Sequence, residues 1–280
     1  PAATATLTAG TRAGASLLIA TAEHEAAWQI VAFLPGPAAL LTLTASPMII
    51  PVGGATAVAA AAVRDAHGNK VADGTLVTFT TSLGTISPTV AATQGGTARA
   101  TVQSGTTAGS AALTAHSGPA GGAAAVAFTP LGPFTVTLAA SPTAVVADGQ
   151  TPAALAAWVG DRYGNAVADG TTVELYTDLG TLWPPQAGTI GGWASAALTS
   201  TAVGTATVQC FVGAGGQAQA WTTVRFNAGP PAALLLTASP GRLYANGTST
   251  ATVTVYARDA WNHPVADGTP ITLSASLGTI

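Results

Sequence analysis

Charge is what this sequence has least of. Only 7% of its 280 residues are Asp, Glu, Lys or Arg, against about 25% in an ordinary soluble protein. The net charge is −3, so there is no basic face for nucleic acid and no polybasic segment for an anionic membrane surface. Cysteine is nearly absent too. Cys210 is alone, which excludes an intrachain disulfide and a disulfide-stapled scaffold; such a thiol is expected to sit buried as a small hydrophobe. No run of about 20 apolar residues is available to span a bilayer. Ser16-Leu17-Leu18-Ile19-Ala20 is too short, and lacks the basic lead-in, to serve as a signal peptide. The four histidines, His24, His67, His116 and His263, fall at unrelated places, and no nucleophile elbow, metal-binding His pair or phosphate loop occurs. The expectation is a chain that is not an enzyme. What the sequence does have is 48% hydrophobic residues and 33 glycines, with Thr, Ser, Asn and Gln in place of charge. A surface this poor in charge is expected to be covered by neighbouring subunits, by glycans, or by both.

The main positive signal is an internal repeat. Asp65-Ala66-His67-Gly68-Asn69-Lys70-Val71-Ala72-Asp73-Gly74-Thr75 returns 96 residues later as Asp161-Arg162-Tyr163-Gly164-Asn165-Ala166-Val167-Ala168-Asp169-Gly170-Thr171. It returns after a further 98 as Asp259-Ala260-Trp261-Asn262-His263-Pro264-Val265-Ala266-Asp267-Gly268-Thr269. Ser-Pro precedes each copy, at Pro47, Pro142 and Pro240, and Leu-Gly-Thr follows each, at Gly84, Gly180 and Gly278.

Within a unit the pattern is that of strands. Val77 and Phe79 alternate with Thr78 and Thr80, and Val253, Val255 and Ala257 alternate with Thr252, Thr254 and Tyr256. Period-2 apolarity puts one face on a core, and Thr and Val are good strand residues. Gly-Asn, Asp-Gly and Leu-Gly pairs supply the positive-φ positions of tight turns. The Ala-rich run from Ala57 to Ala62 aligns with plain strands in the other copies. About seven short strands in about 96 residues predict an all-β chain of tandem immunoglobulin-like β-sandwich domains. Gly-Pro connectors precede the Ser-Pro pairs and favour a semi-rigid rod. The expected divisions are 1–36, the second half of a unit; 37–132 and 133–231, two complete units; and 232–280, the first half of another. Half a sandwich cannot bury its own face. The chain is therefore expected to be a window on a longer array, or else each chain lends its half domain to the next, head to tail.

These residues resemble the bacterial Ig-like repeats of the invasin and intimin family of surface adhesins. The resemblance rests on the Asp-x-x-Gly-Asn-x-Val motif at Asp65, Gly68, Asn69 and Val71, then Gly74, Val77, Phe79, Gly84 and Ile86, and on Gly96-Thr97-Ala98-Arg99-Ala100-Thr101-Val102. The second unit keeps Asp161, Gly164, Asn165, Val167, Gly170, Val173 and Gly180 but has Leu175 and Leu182 where the pattern has Phe and Ile. The third departs at the turn itself, with Asn262-His263-Pro264 in place of Gly-Asn-x. The resemblance covers essentially the whole chain and implies a sandwich used as a surface stalk, with any receptor-binding tip on a separate domain.

Candidate sites are few. Asp65, Asn69 and Asp73, with Asp161, Asn165 and Asp169, offer oxygens of the kind Ca²⁺ takes. Asp and Asn are also what tight turns use to bond their own backbone, so no metal and no cofactor is expected. Trp183 and Trp193 bracket a loop with no aromatic counterpart in the preceding unit, and His67, Tyr163 and Trp261 share one position at a turn tip. Both sets are interface candidates, since aromatic residues concentrate at contact hot spots. Trp28 and Trp221, at equivalent positions, are expected to cover a sandwich face or edge. Asn246-Gly247-Thr248 is a glycosylation sequon. The functional expectation is a structural extracellular protein of the cell surface, the repeat region of a filament, sheath or stalk, with copies of itself as partners and glycans as a further covering. The alternative is an adhesin stalk or binding module of the invasin and intimin type. A third reading, an accessory carbohydrate-associated module, requires coplanar exposed aromatics.

Overall fold

The Val/Thr alternation becomes β-structure along most of the chain. In a computed structural model, which describes residues 2–213 and 215–280, the described residues form strands and no helix. The chain divides into two units, Pro1–Leu131 and Gly132–Ile280.

The first unit opens on a hairpin, β1 (Gly14–Ala22) and β2 (Glu25–Phe33), antiparallel from Gly14↔Phe33 to Ala22↔Glu25. A sandwich follows. One sheet runs in the order β3 (Leu40–Ser46), β5 (Thr56–Arg64), β9 (Thr97–Gln103), β7 (Thr85–Ser87). The other runs β4 (Ile49–Pro51), β11 (Ala120–Thr129), β10 (Gly109–Ser117), β6 (Leu76–Thr81), β8 (Val90–Ala92). β4 lies parallel to β11; the other pairings are antiparallel. Small side chains line one inner face (Ala57, Ala59, Ala61, Ala98, Ala100), and larger ones line the other (Phe79, Leu113, Val126, Phe128), in one buried cluster. The two faces fill one space because their sizes are complementary. Burying a phenylalanine such as Phe79 stabilises the fold by about 1.5–3 kcal/mol.

The second unit repeats the plan. Its first sheet is β12 (Thr135–Ser141), β14 (Ala153–Gly160), β18 (Trp193–Thr199), β16 (Thr181–Trp183). Its second is β13 (Ala144–Val146), β20 (Ala218–Asn227), β19 (Gly204–Val212), β15 (Thr172–Thr177), β17 (Gln186–Gly188), with β13 parallel to β20. Leu155, Val159, Val173, Leu198, Val208 and Phe226 form its core, together with Cys210. Burial pushes the Cys210 thiol pKa up, which keeps it protonated and chemically quiet. A two-stranded sheet, β21 (Ala233–Ser239) and β22 (Thr252–Arg258), closes the described chain order. Val255 and Ala257 of β22 are half-buried, while Leu234, Leu235 and Leu236 of β21 are exposed.

The Ser-Pro bonds at Pro47, Pro142 and Pro240 are all cis. The turn after the third of these strand pairs also keeps the repeat's geometry. Asn262 takes φ +69°, where Gly68 and Gly164 take +81° and +80°. Asn is among the few L-residues that tolerate this region, so the departure from Gly-Asn preserves the turn.

Candidate functional site

The Asp-x-x-Gly-Asn turn is organised by one carboxylate. Asp65 is buried, at 2% exposure. Its Oδ1 accepts the His67 and Asn69 amides, each at 2.9 Å, and its Oδ2 accepts the Gly36 amide and Asn69 Nδ2, also at 2.9 Å. Gly36 lies in the Pro-Gly-Pro connector ahead of the sandwich, so one side chain both closes the turn and ties down the connector. Asn69 extends the tie toward the preceding hairpin segment. Its Nδ2 donates to the Thr11 carbonyl at 2.8 Å, and its Oδ1 accepts the Ala13 amide at 2.9 Å.

Asp259 does the same work in the second unit. Its Oδ1 accepts the Trp261 and His263 amides, at 2.9 and 2.8 Å, and its Oδ2 accepts the Gly229 amide at 2.9 Å. His263 replaces the asparagine. Its Nδ1 faces Asp259 Oδ2 at 3.0 Å and its Nε2 faces the Thr201 carbonyl at 2.9 Å. Thr201 holds the place in its repeat that Thr11 holds in its own, so a chemically different side chain spans the same junction. Asp161, 1% exposed, accepts the Tyr163 and Asn165 amides at 2.8 and 2.9 Å and Asn165 Nδ2 at 2.9 Å.

Replacing His263 by alanine removes both contacts. Cleavage by a non-specific protease in the connector 228–232 is expected to become several-fold faster, while His263→Asn, which restores the amide used by Asn69, leaves the rate close to the parent's.

The hydrogen bond from Asn69, followed by those from the Gly36, Asn69 and His67 amides, outweighs burial and lowers the Asp65 pKa from 3.8 to about 2. At Asp259 burial alone would raise the value, but the bonds from Gly229, His263 and Trp261 carry it down to about 2. The folded value lies below the unfolded one in both cases. The stabilisation is therefore complete above the ordinary carboxylate pKa and is lost as pH falls through the folded value. Thermal melting is expected to be insensitive to these two groups from neutrality down to about pH 4, and to show their loss between about pH 4 and pH 2. Asp65→Asn removes that part of the acid slope contributed by Asp65.

The other oxygen candidates do not join these carboxylates. Asp73 Oδ1 accepts the Gly95 amide at 2.6 Å, and Asp169 Oδ1 accepts the Gly191 amide at 2.7 Å; each pins the turn that leads into the next strand. Among the described residues, no three His, Cys, Asp or Glu side chains gather as a metal site.

The aromatic candidates lie outward. Trp183 is 78% exposed and Trp193 55% exposed. Both belong to the sheet of β16 and β18, where Trp183 lies opposite Ala197 and Trp193 opposite Trp158. His67, Tyr163 and Trp261 are exposed at their turn tips. The Trp261 ring folds back on the connector, since a Cβ at Gly229 would sit 3.1 Å from it. Trp28 on β2 and Trp221 on β20 are both exposed. Asn246 is exposed; its Oδ1 accepts the Thr248 and Ser249 amides at 3.0 and 2.9 Å.

Sequence reasoning missed a cavity of about 940 Å³ on the second unit, lined by Pro133, Glu174, Tyr176, Gln209, Phe211 and Gly216 among others. Tyr176 and Phe211 pack edge to face, with centroids 5.6 Å apart. The advance signal was the outward half of the alternation in β15 and β19, which carries Glu174, Tyr176 and Gln209 where the preceding unit has Thr78, Thr80 and Thr114, and Phe211 where it has His116.

Residues 38–131 and 133–229 match the family described as invasin, domain 3. No curated protein sequence matches the chain. Among solved structures, the chain is similar to invasin, a bacterial integrin-binding protein, at 28% identity over 82% of this chain and 48% of that one, with a TM-score of 0.49. It thus spans about half of that structure. The Escherichia coli adhesin FdeC matches at 21% identity over 84% of this chain and 79% of its own, with a TM-score of 0.60. InvD of Yersinia pseudotuberculosis matches at 20% identity over 80% and 72%, with a TM-score of 0.59.

Proposed function

Because the chain belongs to the invasin domain 3 family, we propose that it is a stalk segment of a bacterial cell-surface protein, exposed outside the cell and acting by mechanical linkage with no turnover. The observation that carries this reading is the junction built around Asp65 and repeated around Asp259. A buried carboxylate binds the connector glycine, and Asn69 or His263 grips the element before it. Domains needed only as independent modules do not require their connectors hydrogen-bonded in the same way at two separate junctions; a stalk that holds its reach does.

The finer part of the proposal is that copies associate laterally, forming a filament or sheath through the exposed Trp183 and Trp193. With 7% charged residues, the surface opposes such association weakly. Electron microscopy of the native material tests it. Polymers with Trp183 and Trp193 at subunit contacts are the expected result. Isolated beaded rods without lateral contacts overturn the homotypic part and leave an adhesin stalk, which carries a receptor-binding tip outward, as the reading supported by family membership.

A further inference from the structure

The outward face of the sheet β13–β20–β19–β15–β17 differs from its counterpart in the first unit in a way the fold does not require. Gln209 lies opposite Tyr176 on one side and Trp221 on the other, and Phe211 lies opposite Glu174 and Gln219. The same registers in the first unit hold Thr114 between Thr80 and Ala123, and His116 between Thr78 and Gly121. Both sheets form the same ladder, so the aromatics and amides serve something other than strand pairing. Nor do they fill a core: Tyr176 is 56% and Trp221 66% exposed.

We propose that this face binds a neutral oligosaccharide, with the rings of Tyr176 and Trp221 against sugar rings and with Glu174 and Gln209 bonded to hydroxyls. The proposal does not depend on the stalk reading. A sugar presents flat C–H faces edged by hydroxyls, so its complement is a set of exposed rings interleaved with donors and acceptors. Directly opposed residues on neighbouring strands share a face and stand about 5 Å apart, which places Trp221, Gln209 and Tyr176 in one row across the sheet. The row runs into the cavity of about 940 Å³, at the upper end of the size usual for small-ligand sites. Glu174 is held in place from two sides: Tyr176 Oη donates to its Oε2 at 3.3 Å and Gln186 Nε2 to its Oε1 at 3.2 Å. Each oxygen retains a lone pair for a hydroxyl. Glu174 is the one charged side chain among the described residues of the lining, which disfavours phosphorylated or sulfated ligands. An ammonium ligand needs a gap bounded by ring faces, whereas Tyr176 and Phe211 pack directly against each other, with centroids 5.6 Å apart.

The test is an amide NMR titration of the whole chain with four neutral probes: cellohexaose, maltohexaose, chitohexaose and a linear galactan fragment. At least one is expected to shift amides of β15, β19 and β20, with Kd of about 1 mM or tighter. Tyr176→Thr and Trp221→Ala introduce residues that the first unit already carries at these registers, so folding is expected to survive. The double variant is expected to bind at least about tenfold more weakly with its melting temperature little changed. Three results overturn the proposal: no shift with any probe at about 10 mM, undiminished binding by the double variant, or shifts produced by choline and by none of the sugars.

Discussion

A chain carrying Asp65→Ala is expected to exchange its Gly36, His67 and Asn69 amides at least about tenfold faster than the parent, and to be cut by protease around Gly36. All three donors, and Asn69 Nδ2, point at one buried carboxylate. Removing it leaves them no acceptor, and water reaches them only if the turn opens. Asp65→Asn separates the two tasks. A carboxamide has one oxygen, which can still receive the His67 and Asn69 amides, while its NH₂ meets the Gly36 amide donor to donor. The turn amides are then expected to stay protected while Gly36 and the connector are released. Hydrogen exchange read by mass spectrometry distinguishes these patterns. Equal loss at all three amides in the Asn variant would show that turn and connector are a single cooperative unit.

The second large effect lies at the Leu-Gly-Thr corner. Gly84 has φ +69°, and a Cβ there would collide with the Gln103 carbonyl oxygen and lie 3.0 Å from the Phe128 ring. Gly180 repeats the arrangement against the Thr199 carbonyl. Both obstacles are backbone or packed core, so neither can move aside at small cost. Gly84→Ala is expected to destabilise its unit by about 2–4 kcal/mol in chemical denaturation. Gly68 also has positive φ, +81°, but has open space around it. Gly68→Ala is therefore expected to cost only the backbone term, about 1–2 kcal/mol. A similar loss at both positions would mean that the Gln103 strand end yields, and that the corner is less tightly packed than its distances imply.

Much of the architecture was legible because repetition averages out local ambiguity. The run Ala57 to Ala62 has strong intrinsic helix preference, yet it forms most of β5. Alignment with the other copies identified it as strand, and the large residues of the facing sheet explain why small ones are needed there. The glycines at 84 and 180 were legible as turns, though their close approach to the next strand was not, because the colliding oxygens belong to residues about 20 positions away. At the candidate site, Asp65 and Asn69 were legible as turn formers competing with a cation for the same oxygens. Their bonds to Gly36, Thr11 and Ala13 were not, because a connector's path is set by tertiary packing. Tyr176 and Gln209 went unremarked, and Trp221 was read only as cover for a sandwich face or edge, for a similar reason. Their adjacency exists only across three strands, at separations in sequence that no local pattern records.

In each sandwich the short strand nearest the beginning, β4 or β13, lies parallel to the strand nearest the end, β11 or β20. Pulling a domain by its two termini drags these partners in opposite directions along their length. The ladder bonds between them, Ile49 to Pro51 against Ala127 to Thr129 and Ala144 to Val146 against Arg225 to Asn227, are then loaded together in shear. A hairpin pulled at its open end gives way one bond at a time; these pairs must break as a set. Under tension along the chain, the rate at which each domain extends is therefore expected to follow that three-residue clamp, while its stability at rest follows the core.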